Sequence, residues 1–489
     1  MTRINLAAKT LRVALVRWIG TRERRFLTIL GLVYLAKQIV LVVVFPAFTG
    51  HDEVAHYSYL RTVATEGRVP VLIEDYLHDD LYPYCRYVLY WEWCDPNDPR
   101  YVADPPHQGT WRGLGTYPSG QQYAANHPPL YYVLMAPVYW LSDDASPQTQ
   151  ILLLRLAAIP FGLATVLLAF LMTRTLFPGD AFLVVTVPAF VAFQPQISYE
   201  AAMVNNDIVA IALYSWILYL LVRGLRDRFP GRICILIGFA LGLALLTKGT
   251  SLTAAPIVGG AVILGVGWRR WRTWLKRGVQ IVVPAAILVS PWYAFLYRTY
   301  GNLSGLPQVH EIQWWNRPEG GFFDLLLNRS FAAMRFEETW GFFGWRRILL
   351  TDRLLWAIGI PLLAALGGLI WYLVVAHPAT TFRADDDPVR RPARWRFLAV
   401  LVLLATCVVA YLAVVQFGTD FVLTQARYYF PAINAAALLL MLGARTLIPR
   451  RLHRYGQGAI VGALVVLTVA ILTQYVLPYY PAWGLGSGA

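Results

Sequence analysis

Long apolar stretches dominate the chain, separated by short basic segments and two long polar ones. A helical crossing of a bilayer needs about 20 apolar residues, and runs of that order recur from residue 27 to residue 479. The pattern predicts eleven spans, over 27–48, 151–173, 181–198, 207–223, 233–248, 250–267, 279–297, 354–375, 397–417, 428–448 and 459–479. The expected fold class is therefore an all-α polytopic membrane protein. Basic residues fill the first 25 positions and lead into a full-length apolar run, so that run reads as an anchor and not as a cleaved leader. The two long polar segments cover 49–150 and 298–353 and are rich in Trp, Tyr, Pro and Gly. Loops of this length are usually functional, and Trp and Tyr favour the membrane interface. Residues 128–141, PPLYYVLMAPVYWL, are too short to span and read as an interfacial helix.

Composition supports this reading. The chain is 57% hydrophobic and only 14% charged, against roughly 25% charged in a soluble domain. A net charge of +14 would otherwise suggest nucleic acid. That partner is excluded because the basic residues sit in short loops between apolar runs, the positive-inside pattern that orients membrane proteins. Most of the 42 Lys and Arg fall in segments such as 223–232, 269–277, 383–396 and 445–454. The N-terminus is then cytoplasmic, both long loops lie outside, and an odd span count puts the C-terminus outside as well. The expected location is the plasma membrane. Cys234 and Cys407 lie in apolar spans and read as small buried hydrophobes. Cys85 and Cys94 share the first external loop, where an oxidising compartment allows a disulfide; two free thiols are the alternative.

One polar stretch carries most of the candidate chemistry: HDEVAHYSYLRTVATEGRVP, residues 51–70, directly after the first span. Helical spacing puts Asp52, His56 and Tyr59 on one face, with Glu53 to the side. A carboxylate one turn from a histidine suits a general base, or a divalent cation held by oxygen and imidazole. The same residues also suit a solvated helix start, where an acid favours the dipole.

This segment resembles the opening signature of the GT-C glycosyltransferases, the superfamily of protein O-mannosyltransferases and the lipid A aminoarabinose transferase. The shared features are Asp-Glu at the outer end of span one, an aromatic helix, then Gly67 and Pro70. Further likenesses follow in order: NHPPLYYVL (126–134), NND (205–207) and LTKGT (246–250). RFEETWGFFGW (335–345) and QARYYFPAI (425–433) resemble a less characterised bacterial branch. The resemblance implies a GT-C-like module over 27–300 behind a basic tail (1–26), a second external loop (301–353) and C-terminal helices (354–489). It also implies Asp52 as the base for an acceptor hydroxyl, Asp207 as the second acid, and Lys248 as a contact for a carrier phosphate. His127 falls near a metal ligand of some members, so Asp52, His56 and His127 are the candidate ligands of a divalent ion (Mg, Mn or Zn). Pro128 stands where the aminoarabinose transferase has a lysine, which shifts weight to Lys248 or Arg427 for the phosphate.

The implied reaction is an inverting sugar transfer from a polyprenyl-phosphate donor to a glycan, lipid or protein hydroxyl. It needs a base on one side of the anomeric carbon and cations on the other. Arg155, Arg335, Arg346 and Arg347 are further cations near the outer surface, each equally suited to lipid headgroups. Glu53, Tyr59 and Glu200 are candidates to face the same substrate cavity. Lys37 lies mid-span, where a charge is expensive: it is either functional or paired with a neighbouring helix. Glu337 and Glu338 could contact acceptor sugar or simply be solvated; Trp314 and Trp315 read as interfacial anchors. The rival functions are a lipid-linked sugar flippase, which needs polar residues along a path through the bilayer, and a non-catalytic assembly partner.

Overall fold

A computed structural model describes residues 21–87, 120–313, 316–375 and 391–480. The expected pairing of Cys85 with Cys94 and the anchors Trp314 and Trp315 lie outside the residues whose side chains are described. The helices run in order α1 (Thr21–Val44), α2 (Glu53–Glu66), α3 (Leu130–Trp140), α4 (Pro147–Leu176), α5 (Ala181–Phe193), α6 (Pro195–Glu200), α7 (Asp207–Asp227), α8 (Gly231–Leu245), α9 (Ala254–Val266) and α10 (Trp271–Tyr300). They continue with α11 (Leu306–Ile312), α12 (Phe322–Leu327), α13 (Arg329–Trp340), α14 (Asp352–Val375), α15 (Arg391–Gly418), α16 (Ile433–Leu447) and α17 (His453–Ile471). A two-stranded hairpin, Phe342–Phe343 with Ile348–Leu349, separates α13 from α14.

Among the described residues, nine helices are long and apolar enough to cross a membrane. Two of the eleven expected spans, 181–198 and 233–248, take the form of shorter apolar helices, Ala181–Phe193 and Gly231–Leu245. The first is cut by local chemistry. Pro195 has no N–H to continue α5 and forces Gln194 into an extended conformation (φ −63°, ψ 120°). The Gln194 side chain then caps α6 by accepting from the Ile197 amide at 2.6 Å. Lys37 on α1 donates to the freed Ala192 carbonyl and to the Ser198 hydroxyl. This partly buried cation therefore closes the break between α5 and α6, with one partner on each.

Large apolar side chains such as Ile29, Leu32, Ile287, Trp356, Ile360 and Ile370 are exposed, as lipid-facing positions must be. Helix contacts inside the bundle are made close by glycine. A side chain at Gly238 of α8 would strike the Ile281 carbonyl of α10, and one at Gly443 of α16 would strike the Ala365 carbonyl of α14.

The interhelical segments of one end come together. Leu72 and Ala125 of the first long loop, Val309 and Ile312 of the second, and Phe421 from the turn after α15 form a small apolar core. Backbone bonds tie the same parts: Val422 N to Arg317 O at 2.6 Å and Glu319 N to Gly418 O at 2.9 Å. The two loops thus form a roof over that end of the bundle.

Candidate active site

Beneath the roof lies a cavity of about 690 Å³ lined by Asp52, His56, Tyr123, His127, Lys248, Thr250, Trp345 and Arg427, with an apolar side of Trp292, Leu296, Val309 and Phe421. Asp52 caps the start of α2 in the left-handed region, φ 54° and ψ 17°. That conformation is uncommon for any residue but glycine, so the turn before it must be held. Glu53 and Arg155 hold it. The Glu53 carboxylate accepts from Arg155 Nε (2.8 Å) and Nη2 (2.6 Å), and from the Gly50 and Val204 amides. Arg155 also donates to the Phe45 carbonyl at 2.6 Å and the Pro46 carbonyl at 2.9 Å. A guanidinium is well suited to the orphan carbonyls where a helix such as α1 ends. Glu53 is 0% and Arg155 1% exposed, and neither lines the cavity.

Four charged groups alternate at one wall, three of them (Asp52, Lys248 and Arg427) lining it and the fourth, Asp207, behind it. Arg427 donates through Nη2 to Asp52 Oδ2 and through Nη1 to Asp207 Oδ2, the latter at 3.4 Å. Lys248 Nζ donates to the other oxygen of Asp207. Tyr123 donates its hydroxyl to Asp52 Oδ1 at 3.2 Å. Tyr428 lies under both cations, its ring centroid 5.1 Å from Lys248 Nζ and 5.6 Å from Arg427 Cζ. Burial pushes the Asp52 carboxyl up, but the Arg427 guanidinium and the nearby histidines outweigh it and hold the group at about 2. Two polar atoms by the cavity, Arg427 Nε and Thr250 Oγ1, are buried without a hydrogen-bond partner among the described residues.

The motifs assemble this wall through their neighbours. In NND, Asn205 caps α7 by accepting from the amides of Asp207 (3.0 Å) and Ile208 (3.3 Å), and Asn206 donates to the Thr247 carbonyl at 3.1 Å. Asp207 is thereby presented to Lys248 of the Thr-Lys-Gly turn. The Leu130 amide at the start of α3 donates to Leu246 O at 2.9 Å, which seats His127 and Pro128 beside that turn. His56 and His127 face each other with ring centroids 5.6 Å apart, and His56 Nδ1 bonds the Tyr132 hydroxyl at 2.8 Å. Burial is the main cause that lowers both imidazoles, His56 to about 4 and His127 to about 3. Tyr59 does not line the cavity; it donates to the His127 carbonyl at 2.9 Å and stacks on Tyr132. Glu200 is buried away from the cavity, bonded to His51 Nδ1 at 2.9 Å and to Gln196 and Asn205.

Asp52, His56 and His127, the expected metal ligands, are not gathered as a ligand set in this arrangement. The Asp52 carboxylate is engaged by Arg427 and Tyr123, and a dication there would face the charges of Arg427 and Lys248. Among the described residues no three His, Cys, Asp or Glu side chains gather to hold an ion.

Residues 126–295 match the family described as dolichyl-phosphate-mannose-protein mannosyltransferase. The match begins at Asn126, so it takes in Asp207 and Lys248 but neither Asp52 nor Arg427. Among solved structures, ArnT from Cupriavidus metallidurans bound to undecaprenyl phosphate is similar at a TM-score of 0.50 and 16% identity, covering 92% of this chain and 73% of that one. The chain has the GT-C fold. An oligosaccharyltransferase from Archaeoglobus fulgidus, in complex with zinc and sulfate, is similar at a TM-score of 0.46 and 14% identity, covering 90% of this chain and 52% of that one. No curated protein sequence matches. On this GT-C fold, Asp52, His56, His127, Lys248 and Arg427 share one cavity with Asp207 behind them. Glu53, Tyr59, Arg155 and Glu200 support its walls from behind. The role of Arg427 as the bridge between the two acids had one signal in the sequence, its place in the QARYYFPAI motif at a span end. Tyr123 had none, since a lone tyrosine in an aromatic loop is indistinguishable from an interfacial one.

Proposed function

We propose that this chain is a membrane glycosyltransferase that moves a sugar from a polyprenyl-phosphate donor to an acceptor hydroxyl. The observation that carries the reading is one cavity in which Asp52 faces two cations beside an apolar flank, with the carboxylate of Asp207 bracing both cations from behind. The undecaprenyl phosphate in the structure of ArnT supports the choice of donor class. The donor phosphate would bind Lys248 and Arg427 and satisfy the unpartnered Arg427 Nε and Thr250 Oγ1; bidentate guanidinium–phosphate contacts are strong. In doing so it would draw Arg427 away from Asp52. A carboxylate held near 2 is a weak base, and relief of that ion pair raises its proton affinity. The acceptor hydroxyl then attacks the anomeric carbon and its proton passes to Asp52. The bond from that carbon to the phosphate oxygen breaks, and the polyprenyl phosphate leaves on the two cations. A single displacement inverts the anomeric centre. The Arg-rich segments at the opposite end favour a cytoplasmic placement for that end and an external one for the cavity.

The test is transfer by purified protein in detergent, with a polyprenyl-phosphate sugar as donor. Asp52→Asn is expected to lower turnover by about 10²–10⁴-fold, the range for loss of a general base, with normal expression. Full activity of that variant would remove the base from the mechanism. A flippase would show no turnover in detergent, because transport has meaning only across a sealed membrane.

A further inference from the structure

We propose that Glu338, in the second long loop, is a positioning residue that sets two walls of the cavity at once and holds Arg427 where the donor phosphate needs it. The inference rests on the donor-binding reading above. Glu338 is 4% exposed, yet it does not line the cavity, so it is not placed to touch an acceptor sugar there. Its two oxygens serve different walls. Oε2 accepts from the amide of Ala426 at 2.8 Å, the residue before Arg427. Oε1 accepts from Arg346 Nη2 at 2.6 Å, and Arg346 follows Trp345, which lines the cavity.

Both walls need such a support. Gly344, Trp345 and Arg346 have successive positive φ values of 56°, 58° and 64°, a conformation that tryptophan and arginine keep only where the surroundings impose it. The chain from Phe421 to Gln425 is irregular and leads into the short 3₁₀ turn that carries Arg427. One helical turn before Glu338, Arg335 reinforces the same junction: its Nε lies 3.1 Å from Glu338 Oε2 and its Nη1 donates to the Thr424 carbonyl. The carboxylate is therefore buried with two guanidinium groups and an amide, the condition under which a buried charge is tolerated and breaking one partner is costly. These contacts join two motifs, RFEETWGFFGW and QARYYFPAI, that stand about 90 residues apart in the chain.

Glu338→Gln keeps the shape of the side chain but offers one acceptor oxygen where two are used. The measurement is binding of undecaprenyl phosphate to the purified full-length protein in detergent, with thermal stability recorded alongside. The expected result is an affinity lower by about tenfold or more, within what misplaced positioning groups cost, with a lowered thermal midpoint, because two buried guanidiniums lose their counter-charge, but a folded protein at the assay temperature. Adding Arg427→Gln to Glu338→Gln should lower affinity by less than Arg427→Gln does alone, because both changes act on one contact. Unchanged affinity in a folded Glu338→Gln protein overturns the proposal. Should that variant not fold, Arg346→Gln, which cuts only the Oε1 arm, is expected to weaken binding in the same direction, and no loss there overturns the proposal equally. A parent protein that does not bind undecaprenyl phosphate defeats the donor-binding reading itself, and is told apart from the other outcomes by needing no variant.

Discussion

Asp52 begins α2 with a left-handed backbone that the protein enforces from behind, through Glu53 and Arg155, while its side chain faces the cavity. Sequence spacing puts Asp52, His56 and Tyr59 on one face, and the first two line the cavity while Tyr59 does not; Glu53 and Arg155, read as candidates to meet substrate, spend their charges on each other and on the end of α1. The two cavity histidines lead to a prediction on pH. Burial lowers His56 to about 4 and His127 to about 3, from an ordinary 6.5. Below 6.5 the unfolded chain takes up protons that the folded rings refuse, so stability is full above that pH and is lost as pH falls through these lower values. The thermal midpoint is expected to decline over this window, and His56→Gln, which keeps a polar partner for Tyr132, should flatten part of the slope. An equal slope in that variant would assign the decline to other groups. Near neutral pH both rings are neutral, so neither should add an ionisation to the rate profile there.

At the scale of elements, close helix contacts depend on glycines that offer no sequence pattern of their own. Gly443 meets the backbone of α14 at Ala365 and Leu369, whereas Gly458 on α17 has open space. Gly443→Ala is expected to force α14 and α16 apart and to destabilise by about 1–3 kcal/mol, the usual cost of overpacking. Gly458→Ala should be neutral or mildly stabilising, because alanine is the better helix former. Detergent melting curves of the two variants check this; similar midpoints would show that α14 and α16 adjust freely. Hydropathy located the long helices but not all of their ends: α10 starts at Trp271 against an expected 279, and the last apolar helix at Arg450 against an expected 459. It ran 181–198 together as one element, because the apolar run before Gln194 outweighs the polar residues around Pro195, where the backbone breaks.

At the scale of the whole molecule, every motif that resembles the GT-C signature converges on one end of the bundle. That is the arrangement expected when the polar segments alternate across a bilayer. The basic segments at the other end predict its orientation. With cysteines placed at the exposed Ser330, on the roof, and at the exposed Thr273, at the start of α10, a membrane-impermeant maleimide applied to intact cells should label the first and not the second. The reverse pattern would put the cavity in the cytoplasm and exclude an external donor.

The linear sequence by itself determined what depends on short-range order: long apolar runs, the charge bias between them, and local motifs whose residue types fit acid, base and phosphate. These are legible because membrane insertion is decided segment by segment, by hydrophobicity and flanking charge. Only the tertiary structure decided which charged residues face the cavity and which face each other. Glu53 with Arg155, Glu200 with His51 and Glu338 with Arg346 look no different in the chain from Asp52, Lys248 and Arg427, which line the cavity. Ion pairing in a low-dielectric interior depends on distances across segments far apart in the chain, and no local pattern encodes those distances.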